Sequence, residues 1–289
     1  MQKRIINTKI GYEITSTEFE ATTNPLGVVI ISSATGVKQN YYFKFAEFLN
    51  SEGYSTITFD YGGIGESKNE SLKTFDTNAF NWGNNDLESV IQFYTEKYTG
   101  KPLTVIGHSI GGQLIGLTPS AQNINNIVLV ASQTGYWKFW KGIEKLKMLF
   151  NWYFIFPILT RVYGFFPGKG LGAMEDLPKS MALEWRKWCA SPNYLFDHIE
   201  EEYLNFDKLK CELHSYSVSD DNYAPKKAVD WLANKYSRAL ITRKHINPKD
   251  LNHSKIGHFG FFKEKMKDTF WKMMLKDIKA PSQVQGSAT

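Results

Sequence analysis

Only two cysteines, Cys189 and Cys211, stand among 289 residues, with no C-x-x-C pair and no spacing that suits a metal. That excludes a disulfide scaffold and a cysteine-built zinc site, and it suggests a reducing compartment in which thiols serve as small core residues. Blocks of lysine and arginine are equally absent. The formal charge is only +5, so there is no basic stripe to bind nucleic acid. The opening MQKRIINTKIGYEITST has no continuous apolar run of the signal-peptide kind, and a cytoplasmic protein is the expectation. Gly62–Gly65, GGIG, lacks the G-x-G-x-x-G spacing of a dinucleotide loop. No internal repeat is present, and nothing calls for a cofactor or a metal.

Hydrophobic residues make up 42% of the chain and charged residues 22%, a balance that can bury a sizeable core. Residues 3–20 alternate as a hairpin turning near Gly11. GVVIISS, YSTITFD, LTVIG and NIVLVAS then read as buried strands, with helical stretches at about 39–51, 80–98 and 110–117. From Gln133 to about Lys210 no strand is evident and aromatics are dense. The rhythm returns with ELHSYSVS, a helix near 224–234, ALITRKH and a closing helix near 261–276. This predicts a doubly wound, mostly parallel α/β sheet of eight strands. The core is expected to cover 1–132 and 211–279, with a helical lid of residues 133–210 inserted after the sixth strand and a disordered tail at 280–289. Met148–Phe166, MLFNWYFIFPILTRVYGFF, is about as long as a membrane span, but Asn151, Pro157 and Arg161 interrupt it. Two apolar helices broken at Pro157 are expected there.

One stretch carries chemistry. In GKPLTVIGHSIGGQLIGL, Gly107-His108-Ser109-Ile110-Gly111 fits G-x-S-x-G between a predicted strand and a predicted helix. A nucleophile elbow forces its serine into a strained turn, so residues two positions away must be small. An N-cap serine in a tight turn fits the same letters, and only the serine's partners separate the two. A catalytic serine needs a base, and the base needs an orienting carboxylate. His258, in the glycine-bounded loop KIGHFGFF after the last strand, is the leading base, with His253 behind it. SVSDDNYAP offers Asp221, four residues before Pro225, with Asp220 as runner-up. The loop ATGVKQNYY brings Gly36 close, and the N–H of Val37 is expected to join that of Ile110 in an oxyanion hole.

ATGVKQNYY, FDYGGIGES, IGHSIGGQ, SVSDDNYAP and IGHFGFF occur in an order that resembles the α/β-hydrolase superfamily over nearly the whole chain. EWRKWCASPNYLFD resembles uncharacterised bacterial hydrolases near the monoacylglycerol-lipase and serine-aminopeptidase-like branch. FDYGGIGES is similar to that superfamily's D-x-R-G-x-G-x-S loop, with Gly62 where arginine is usual, which weakens a loop anchor. The resemblance implies a fold and a Ser-His-Asp triad rather than a substrate, and it argues against enzymes whose nucleophile is an aspartate.

The expected reaction is acyl transfer from an ester to water. Trp137, Trp140, Trp152 and Phe156, with Phe139, Phe150 and Phe154, offer an apolar wall for an acyl or aromatic group of a small ester. Lys138, Lys141, Lys145 and Lys147 could give the lid a basic amphipathic surface for peripheral contact with anionic lipid. The same triad could serve an aminopeptidase or amidase, which would need a lid carboxylate such as Glu144, Glu175 or Glu184. It could also serve a thioesterase or acyltransferase. A non-catalytic ligand-binding protein is the alternative from another class.

Overall fold

The computed structural model describes residues 1–22 and 24–279; the tail 280–289, expected to be disordered, lies outside the described residues. Eight strands, β1 (Gln2–Asn7), β2 (Glu13–Phe19), β3 (Val28–Ser32), β4 (Ser55–Phe59), β5 (Leu103–His108), β6 (Asn126–Val130), β7 (Glu212–Val218) and β8 (Leu240–Ile246), form one sheet. Its order is β1-β2-β4-β3-β5-β6-β7-β8. β1 and β2 pair antiparallel, β2 runs antiparallel to β4, and every later pairing is parallel.

Alternation along the central strands shows why the sheet is covered twice. Val28 and Ile30 of β3, Val105 of β5, and Ile127 and Leu129 of β6 join one buried cluster. Their neighbours Val29, Ile31, Ile106, Val128 and Val130 join the cluster on the opposite side. A strand buried on both faces reads as a continuous β-branched run, as these do. Phe45, Phe48 and Leu49 of the helix Phe43–Ser51 pack with Phe270 and Trp271 of the closing helical segment on one face. Val90, Ile91 and Tyr94 of the helix Glu88–Lys97 cover the other.

Between β6 and β7 the regular elements among the described residues are helical, joined by loops, with a single bridge between Phe166 and Leu177. The expected break at Pro157 is absent. Helix Gly142–Phe150 runs through a π turn, Asn151–Ile155, into helix Phe156–Tyr163, with Pro157 in the first turn of that last segment. Proline lacks the N–H that the π turn would direct at the Trp152 carbonyl, and that carbonyl accepts from the Arg186 guanidinium at 2.7 Å instead, so the rod continues. The π turn also keeps a face aligned. Met148, Trp152, Phe156 and Thr160 are all buried at four-residue steps. In an unbroken α-helix each such step drifts by about 40°, and the wider turn winds back against that drift. Among the described residues no helix is long and apolar enough to cross a membrane.

The loop after β4 holds together without an arginine at position 62. The Gly62 N–H donates to Asp86 at 2.8 Å, and its carbonyl accepts from the Trp82 indole at 3.1 Å. A side chain at 62 would meet the Tyr12 ring, whose hydroxyl donates to the same Asp86. Buried Asp60 ties the loop further, accepting from the amides of Gln39 and Glu66 at 2.8 and 2.9 Å.

Candidate active site

Ser109 sits at the tip of β5 with φ +53° and ψ −119°, a strained conformation costing on the order of 1–3 kcal/mol. Two glycines make that turn possible. A Cβ on Gly107 would lie 2.3 Å from the Gly112 Cα, and one on Gly111 would lie 2.1 Å from the Ser32 carbonyl oxygen. Both obstacles are backbone, which cannot swing aside as a side chain would, so the G-x-S-x-G spacing is a packing requirement. Helix Ile110–Leu114 begins directly after the serine, which leaves the Ile110 N–H without an intrahelical acceptor.

The loop between β8 and the closing helical segment brings His258 to the same place, and His258 and Ser109 line one cavity. The His258 Nδ1 lies 2.8 Å from Asp221 Oδ2, with both side chains buried. A carboxylate only accepts, so Nδ1 carries the proton of this bond and Nε2 is the ring nitrogen left for other partners. The other Asp221 oxygen accepts from the amides of Tyr223 and Ala224 at 2.8 and 3.0 Å. Asp220 turns elsewhere: its carboxylate accepts from Ile256 N–H at 2.9 Å and Gly257 N–H at 3.1 Å. The two adjacent aspartates thus divide the work, one facing the imidazole and the other holding the loop that carries it.

His108, next to the serine, faces inward. It is fully buried, with Nδ1 2.9 Å from the Tyr42 hydroxyl and Nε2 3.0 Å from the His258 carbonyl. Burial, and then the proximity of His258, hold its pKa well below 6.5, so the ring stays neutral.

The loop after β3 departs from expectation. The Val37 N–H donates to the Ala34 carbonyl at 3.1 Å, closing a tight turn at Gly36 (φ +61°), and Val37 does not line the cavity. Thr35 does line it, and its N–H has no partner among the described residues. The proline-free run ATG is too short for sequence alone to say which amide faces inward.

The cavity has a volume of about 530 Å³, within the usual range for a small-molecule site. Of the expected apolar wall, Trp140, Trp152 and Phe156 line it, while Trp137, Phe139, Phe150 and Phe154 do not. Trp137 lies under the ammonium groups of Lys138 and Lys145, and Phe139 packs against Trp231. Phe150 and Phe154 are 52% and 47% exposed. Trp185, Gln113, Gln133 and Tyr223, which sequence reasoning missed, line the cavity instead. Only Gln113 had a local signal, its place one residue after the elbow glycines. It accepts from the Tyr194 hydroxyl and donates to the Gln133 carbonyl at 2.6 Å.

No aspartate, glutamate, lysine or arginine lines this cavity among the described residues. The three insertion carboxylates expected to serve an aminopeptidase each have a partner away from it. Glu144 pairs with Lys147 at 2.7 Å, Glu175 with Lys169 at 2.8 Å, and Glu184 accepts from the Phe80 N–H at 2.8 Å.

The family model of serine aminopeptidases (S33) matches residues 23–162. No curated protein matches the chain. Among solved structures, a thermostable carboxyl esterase from Bacillus coagulans, in complex with glycerol, aligns with a TM-score of 0.66 at 12% identity, covering 96% of this chain and 97% of that one. An esterase from Exiguobacterium antarcticum aligns at 0.60 and 15% identity, covering 96% and 99%. Mouse alpha/beta hydrolase domain-containing protein 10 aligns at 0.58 and 13%, covering 96% and 98%. At these identities the structural likeness speaks for the fold alone.

Proposed function

We propose that this chain, which has the α/β-hydrolase fold, cleaves neutral carboxylic esters through Ser109, His258 and Asp221. The observation that carries the reading is that Ser109 and His258, the latter paired with Asp221, line one cavity that has no aspartate, glutamate, lysine or arginine in its wall among the described residues. Ser109 Oγ attacks the ester carbonyl while His258 Nε2 takes its proton. Asp221 holds the imidazole in the required tautomer and stabilises the imidazolium. The Ile110 N–H and the Thr35 N–H hold the oxyanion, each such donor being worth roughly 10²–10³ in kcat. Collapse of the tetrahedral intermediate releases the alcohol, which takes the proton from His258. Water, deprotonated by His258, then frees the acid and restores Ser109.

An aminopeptidase must hold a free ammonium beside the scissile bond, and an unpaired cation in an apolar cavity is costly. With Glu144, Glu175 and Glu184 engaged elsewhere, a neutral ester fits better than an aminoacyl amide. Trp140, Trp152 and Phe156 offer apolar surface to the acyl group. Gln133 Oε1 and Trp152 Nε1 are buried without partners among the described residues, so polar groups of the substrate are available to satisfy them. Comparing p-nitrophenyl esters of increasing acyl length with aminoacyl anilides tests this. Turnover of esters with little on anilides is expected. Turnover of anilides with none on esters would overturn the reading.

A further inference from the structure

The rod of residues 142–163 has two apolar faces. Its inner face includes Met148, Trp152 and Phe156, which line the cavity. The outer face carries Ile143, Leu146, Phe150, Phe154, Ile158 and Val162, spaced by three or four residues and between 47% and 71% exposed. The π turn that keeps the inner line aligned does the same for the outer one, since both advance in four-residue steps across it. Single exposed hydrophobic residues need no explanation, but six large ones along one face of one rod do.

Charge points to the occupant. Residues 137–163 hold Lys138, Lys141, Lys145, Lys147 and Arg161 against the single acid Glu144, a local net charge of +4. Two copies of this rod packed face to face across a two-fold axis would bring like charge to like charge. An anionic lipid surface complements it, taking up the apolar stripe while the lysine and arginine stems reach the head groups. We propose that this outer face is a docking surface for anionic phospholipid membranes. Docking there lays a cavity wall against the bilayer, so an apolar substrate partitioned into lipid lies next to the site that uses it. The surface itself does not depend on the ester reading.

Co-sedimentation with vesicles tests the proposal directly. The purified protein is mixed with phosphatidylcholine vesicles, or with vesicles containing about a third phosphatidylglycerol. Binding is expected on the anionic vesicles, several-fold weaker on the neutral ones, and falling as salt rises from low to physiological strength. The triple change Phe150→Ser, Phe154→Ser, Ile158→Ser removes apolar surface outside the cavity and should lower binding roughly tenfold or more. Its circular dichroism and thermal midpoint report whether it remains folded. Lys138→Glu with Lys141→Glu, a second variant that leaves the stripe intact, should lose the preference for anionic vesicles. Wild type left in the supernatant with anionic vesicles would overturn the proposal. So would equal binding by the folded triple variant, or a stable wild-type dimer that the triple change dissociates.

Discussion

His108 Nε2 lies 3.0 Å from the backbone oxygen of His258, so the residue before the candidate nucleophile holds the loop that carries the candidate base. A carbonyl only accepts, which places the His108 proton on Nε2 and leaves Nδ1 to accept from the Tyr42 hydroxyl. Tyr42 in turn accepts from the Ala34 N–H at 2.9 Å, one residue before Thr35. Three loops, those after β3, β5 and β8, are therefore tied through one neutral imidazole. Replacing His108 by alanine is expected to leave the sheet intact and to cost about 1–3 kcal/mol, because the Tyr42 hydroxyl loses its acceptor. The ester-hydrolysis kcat should fall by about one to two orders of magnitude, with KM changing less, because His258 loses its support. Steady-state kinetics beside chemical denaturation measure both.

The same burial sets a pH dependence. His108 has a folded pKa depressed below its usual 6.5. Its contribution to stability is therefore full above about pH 6.5 and is lost as pH falls toward the lowered value, because only the unfolded chain takes up the proton in that window. Unfolding free energy measured from pH 8 down to 5 should drop more steeply for wild type than for His108→Gln. Parallel curves would show that this imidazole is not held neutral.

The two aspartates should separate cleanly. Asp221→Asn puts an amide beside His258 Nδ1 and favours the wrong tautomer. A loss of roughly 10⁴ in kcat is expected, with modest change in KM. Asp220→Asn weakens the grip on the Ile256 and Gly257 amides, so it should lower stability by about 1–2 kcal/mol and activity far less. Kinetics and thermal unfolding on both variants distinguish the roles, and a reversal of the two profiles would contradict the assignment.

The tryptophans of the insertion give a third contrast. Trp152→Ala opens the cavity wall and should raise KM for longer acyl esters by about tenfold or more, since burying an aromatic ring is worth a few kcal/mol. Trp137→Ala, away from the cavity, should leave KM within about twofold. A chain-length series on each variant decides this.

These contrasts mark where the sequence was legible. Apolar runs and glycine punctuation place the central strands β3 to β6, because a buried strand has a local signature, while the β1–β2 hairpin shows in its alternation. The steric fence around Ser109 is likewise local, and G-x-S-x-G records it directly. His258 and Asp221 could be picked out by their place after particular strands. Asp220 could not be fully separated from Asp221, because the direction of a side chain on a loop depends on which amides lie 36 residues downstream. The oxyanion loop fails for a similar reason. A turn that commits the Val37 N–H to Ala34 leaves no mark in the letters ATGV. The rod defeats single-residue reading altogether. Pro157 looks like a break, and Phe150 and Phe154 look like a cavity wall. Only the π turn shows which aromatics face in and which face out.

Covalent labelling tests the central claim most directly. Wild-type protein is treated with a fluorophosphonate, and the adduct is located by intact mass and peptide mapping. One adduct on Ser109 is expected, absent in Ser109→Ala and much slower to form in His258→Ala. Folded wild type that takes no label, or Ser109→Ala that labels as fast as wild type, would contradict the account.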